Sequence, residues 1–135
     1  MHGLLVSGQL WRKVVPALAE RYRCIVPDLP LGPHAVSMAP DADLSPPGLA
    51  RLVVEFLEAL GLHEVTLVGN DTGGAICQLV VAGHTERVSR LVLTNCDAFE
   101  NFPPPLLGLL QWGPACPVSW LCWRGCSGRD WLGGP

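Results

Sequence analysis

The residues best placed to do chemistry lie in the stretch VTLVGNDTGGAICQLVV, residues 65–81. Asp71 sits there between an apolar run and a helix-like pattern, with Gly69 two residues before it and Gly73 and Gly74 just after. Four kinds of chemistry or structure use such a turn. A dinucleotide loop needs G-x-G-x-x-G and a P-loop needs a lysine. The glycines at 69, 73 and 74 match neither, and an acidic side chain in the middle repels phosphate. Asp-Thr-Gly is also the aspartic protease tripeptide, but those aspartates work in pairs, and here the tripeptide opens a helix. An aspartate can simply cap a helix. The reading that fits best is a nucleophile on a strand-to-helix turn, with small residues on both sides because the turn is tight and strained.

The elements around it must hold that turn. Ser45 followed by Pro46 predicts the start of a helix, whose apolar stripe is Leu49, Leu52, Val53, Phe56, Leu57 and Leu60, with Gly61 as its stop. HEVTLVG then predicts a strand, GAICQLVVAGH a helix, and VSRLVLTNC a second buried strand. Upstream, Ser7 can cap a helix over residues 9–20, kinked or delayed by Pro16, and residues 24–26 predict a short strand. Helix and strand alternate, so the fold class is α/β: a mostly parallel sheet with flanking helices. Asp71 falls at the carboxyl end of a strand, where such sheets bind ligands.

Composition narrows the functions. Of 135 residues 49% are apolar and 16% charged, which excludes a disordered chain. The net charge of −3 gives no footprint for nucleic acid or an anionic membrane. Residues 102–123 carry no charge, but five prolines there argue against a membrane span. Among six cysteines, Cys24, Cys77 and Cys96 read as small core residues, whereas Cys116, Cys122 and Cys126 lack metal-ligand spacing. No metal, cofactor or membrane is expected, a cytoplasmic location is, and exposed sheet edges leave self-association open. Four of the five tryptophans fall after Cys96. The change of character there separates residues 1–100, a partial core, from residues 101–135, the start of a lid or an irregular tail.

Together His2-Gly3 with Trp11, VPDLP, GNDTGG and GHTERVSRLVL resemble the α/β-hydrolase family over residues 2–100. The branch resembled has an aspartate nucleophile and includes epoxide hydrolases and haloalkane dehalogenases. The resemblance implies that Asp71 forms an ester with a small electrophilic substrate such as an epoxide or haloalkane. It implies an oxyanion hole from the backbone N–H groups of Leu4 and Thr72, with His2 structural or lining the pocket. It also implies an acid partner after the second strand, for which Asp97 and Glu100 are candidates. The chain departs from that branch in having Thr72 where tryptophan is usual and Leu5 where proline is common. The family needs a late histidine to activate water. Here His84 lies on the same helix as Asp71, roughly 20 Å along it at 1.5 Å per residue. His63 precedes the strand, and His34 lies on a loop at the correct edge. The resemblance thus implies either a hydrolase or a hydrolase-like fragment without its general base, since the family is typically twice this length.

Overall fold

The second helix shows how local sequence signals become structure. In the computed structural model, which describes residues 1–84 and 86–96, α1 spans Val15–Ala19 and α2 spans Pro46–Ala59. Ser45 Oγ accepts the Gly48 N–H at 3.2 Å, so the serine satisfies one of the orphan donors of the first turn. At the other end Gly61 takes φ 60°, its N–H reaches Glu58 O, and Leu62 N–H reaches Leu57 O. Those two bonds close the helix as a Schellman motif, which only a residue free to adopt left-handed backbone closes without strain.

The face that α2 buries is rotated from the expected stripe. Leu49, Ala50, Val53, Val54 and Leu57 are buried, Leu52 and Phe56 are only partly covered, and Leu60 is exposed at the C-cap. The reason is the packing of α2 on α3, Thr72–Gly83, which presents Ile76, Cys77 and Val80. Leu67 from the first strand, with Leu29 and Leu31 from the preceding loop, completes this core.

Among the described residues the sheet has two parallel strands, β1 (Val65–Asn70) and β2 (Val88–Thr94), joined through α3. After an irregularity between Val65 and Thr66 the register is regular, ending with Gly69 opposite Leu93 and Asn70 opposite Thr94. On its other side β1 is met by Met1: Met1 N–H donates to Val68 O, and Asn70 N–H donates to Met1 O. This brings residues 1–3 against the carboxyl end of β1.

Four expectations are corrected. Residues 24–26 form no strand, and Ile25 and Val26 are partly exposed. The position beside β1 is held by Met1, so residues 24–26 find no ladder partner among the described residues. Residues 9–20 are not one helix: a 3-10 turn, Gly8–Trp11, capped by Ser7, is followed by α1, which restarts where Pro16 needs no N–H partner. Its expected apolar face is exposed at Leu10, Val14 and Leu18. Finally, β2 is mostly exposed because β1 is its only ladder neighbour among the described residues. Likewise only Cys77 of the first three cysteines is buried; Cys24 and Cys96 are half-exposed. Asp97, Glu100, residues 101–135 and the apolar stretch 102–123 lie outside the described residues. Among the described residues no helix is long and apolar enough to cross a membrane.

Candidate active site

Asp71 links the end of β1 to the start of α3 in a single residue. Its backbone takes φ 52° and ψ −132°, a conformation sparsely populated for any residue with a Cβ. Asp71 occupies the N-cap position of α3, yet its side chain makes no capping hydrogen bond. A plain helix cap is therefore not what this aspartate does.

The glycines around it are explained by close approach. A Cβ on Gly69 would stand 2.6 Å from Gly74 Cα and 2.9 Å from Gly73 O, so strand and helix touch backbone to backbone. A Cβ on Gly73 would run into the His2 and Met1 carbonyls, and one on Gly74 into the Cys96 side chain. Gly3 serves the aspartate itself: a Cβ there would overlap Asp71 Oδ2 and stand 2.8 Å from its carboxyl carbon. The carboxylate thus rests over Gly3, beside the segment that carries the Leu4 N–H. Thr72, the first residue of α3, is buried, and its N–H is among the helix donors that have no intrahelical acceptor.

His2 is buried and both ring nitrogens are engaged. Leu29 N–H donates to Nε2 at 2.8 Å, which makes Nε2 the acceptor and leaves the proton on Nδ1, 2.9 Å from Gly3 O. Its role is to tie residues 2–3 to the Leu29 loop. Next to it Leu5 has φ 62° and donates its N–H to Leu31 O at 2.8 Å. Proline, fixed near φ −65° and lacking the N–H, does not fit that position, which accounts for this departure from the common pattern.

All four histidines of the chain are described. His34 Nδ1 is 2.7 Å from Gly32 O within its own loop. His63 lies at the opposite end of β1 with Nε2 3.4 Å from Arg87, as its place before the strand predicts. His84 caps the far end of α3. The structure therefore brings together Asp71, Gly3, Gly69, Gly73, Gly74 and the segment bearing Leu4 and Thr72, and places His63 and His84 away from them.

Sequence reasoning passed over a second set of residues at this turn. Asn70 Nδ2 donates to Thr94 O at 2.8 Å and to Thr94 Oγ1 at 3.2 Å, and Thr94 Oγ1 donates to Gly69 O at 3.1 Å. Asp71 N–H donates to Asn95 O at 3.0 Å, with Asn95 itself at φ 43°. Beneath the turn, burial pushes the Cys77 thiol up to about 11.

A profile described as alpha/beta hydrolase fold matches residues 1–117, and the chain belongs to this family. It is 33% identical to a cis-3-alkyl-4-alkyloxetan-2-one decarboxylase of Xanthomonas campestris pv. campestris, covering 97% of this chain and 41% of that protein. It is 36% identical to a haloalkane dehalogenase of Mesorhizobium japonicum, covering 78% of this chain and 31% of the relative. Among solved structures, an epoxide hydrolase without ligand superposes with a TM-score of 0.62 at 29% identity, over 81% of this chain and 39% of that one. The chain thus spans less than half the length of these relatives.

Proposed function

We propose that Asp71 is the covalent nucleophile of a hydrolase acting on a small electrophile, an epoxide or haloalkane. The observation that carries this reading is the strained Asp71 backbone with a carboxylate that caps nothing and faces Gly3. Strain of this kind persists at functional sites, where the surroundings over-determine it. In the proposed step a carboxylate oxygen attacks the substrate carbon. The carbon–oxygen bond of the epoxide, or the carbon–halogen bond, breaks, and the departing oxygen takes a proton from water or the halide leaves. The ester then awaits water. Its tetrahedral intermediate would be held by the Leu4 and Thr72 N–H groups, each such donor contributing roughly 10²–10³ in rate. Relatives named as a haloalkane dehalogenase and an epoxide hydrolase support the substrate class.

The placement of the histidines favours a second reading of the later step. His2 is saturated, His34 Nδ1 is 2.7 Å from the Gly32 carbonyl of its own loop, and His63 and His84 are remote from the turn along their elements. The ester then forms once and is not hydrolysed. Incubation of the chain with a panel of terminal epoxides and haloalkanes, followed by intact-mass measurement and peptide mapping of any label to Asp71, separates the readings. A single stable adduct, absent in Asp71→Ala, supports a nucleophile without turnover. Diol or alcohol release over many cycles supports a complete hydrolase. No adduct and no product from a folded sample rejects both.

A further inference from the structure

We propose that Asn70 and Thr94 are positioning residues that clamp the Asp71 turn, an inference that rests on reading Asp71 as the nucleophile. The two residues face each other in the parallel register, 24 positions apart in sequence. The Thr94 hydroxyl has one proton, and it goes to Gly69 O. The same oxygen accepts from Asn70 Nδ2, whose amide also donates to Thr94 O. Gly69, Asn70 and Asp71 are thereby each fastened to the end of β2, the last through its own N–H to Asn95 O. On the opposite side Asn70 N–H is held by Met1 O, and Gly74 N–H by Asp71 O.

These bonds bracket Asp71, whose backbone takes φ 52° and ψ −132°. Released from the clamp, Asp71 relaxes toward ordinary backbone angles, and its carboxylate swings away from Gly3. Misplacement of a reacting group by about 1 Å can cost roughly a hundredfold in rate. Loss of one clamp arm, with the others intact, is expected to cost about tenfold. The bonds of Asn70 to Thr94 lie at the exposed end of the sheet.

The test follows ester formation on Asp71, located by peptide mapping, when the whole chain is treated with a terminal epoxide at a series of concentrations. The maximal labelling rate and the half-saturating concentration are read separately for wild type, Asn70→Ala, Thr94→Val and Thr94→Ser. The clamp predicts a maximal rate about tenfold lower in Asn70→Ala and Thr94→Val, an unchanged half-saturating concentration, and wild-type behaviour in Thr94→Ser. Wild-type rates in Asn70→Ala, or Thr94→Ser as slow as Thr94→Val, overturn it. Should Asn70→Ala not fold, the isosteric Asn70→Asp, which cannot donate, carries the same expectation. Hydrogen exchange of the Asp71 amide reads the clamp without any chemistry: it quickens in Asn70→Ala if the clamp holds, and unchanged exchange rejects the clamp. If wild type takes no label, the nucleophile reading fails, and the exchange result alone decides the clamp.

Discussion

Replacing Asp71 by glycine is expected to stabilise the protein, which is the reverse of what a helix cap would do. The residue sits at φ 52° and ψ −132°, and such a conformation costs about 1–3 kcal/mol with a Cβ present. Glycine removes that cost but loses roughly 0.4–1 kcal/mol through a freer unfolded chain. Losing the carboxylate at the N-terminus of α3 forfeits a further 0.3–1 kcal/mol or so of helix-dipole interaction. Central values of about 2, 0.7 and 0.6 kcal/mol leave Asp71→Gly about 0.7 kcal/mol more stable than wild type. No capping hydrogen bond is lost, since none is made. The gain should grow with added salt, which screens the dipole term. Urea unfolding followed by tryptophan fluorescence reads this directly, with equal slopes showing that the unfolded state is comparable. A midpoint below wild type at equal slope would refute the argument, because a capping aspartate loses a few tenths of a kcal/mol on replacement by glycine. Stabilisation with loss of adduct formation is the trade-off expected where strain serves function.

Two further outcomes follow from the same geometry. Gly73→Ala, within a helix, would ordinarily gain about 1 kcal/mol. Here the new Cβ meets the His2 and Met1 carbonyls, so a loss of roughly 1–3 kcal/mol is expected, measured by urea unfolding. Cys77 gives a pH signature. Its thiol is raised by burial from 9.0 to about 11, so the stability it contributes is fully present below pH 9 and is lost as pH rises through 11. At pH 10 the loss is roughly 1.4 kcal/mol. Comparing the pH 7 and pH 10 unfolding midpoints of wild type with those of Cys77→Ala isolates this term. An equal alkaline loss in both proteins would contradict it.

What the sequence made legible was local. Ser45, Pro46 and Gly61 act within one helical turn, so α2 could be bounded without knowing its partners. The apolar runs of β1 and α3, with glycines tightly spaced about Asp71, identified the turn for the same reason. What depended on neighbours was harder to read. Residues 24–26 have the composition of a strand but no strand to pair with among the described residues, and β2 has a buried strand's sequence with exposed faces. Leu52 and Leu60 looked equivalent to Leu49 until α3 chose the face of α2 that it covers. The Asn70–Thr94 pair joins residues 24 positions apart, and no local pattern announces it. The sequence left His2 either structural or lining the pocket, and its partner, Leu29 N–H, was not legible.

The central claim is that Asp71, and not another nucleophile, attacks the substrate. Cys24 and Cys96 are half-exposed free thiols that react with epoxides on their own account, so the site of labelling must be located and not inferred from mass alone. Peptide mapping with tandem mass spectrometry after epoxide treatment does so. An ester on Asp71, cleaved by mild base and missing in Asp71→Asn, is the result predicted. Label confined to base-stable thioethers on cysteine, in a folded sample, would contradict the account.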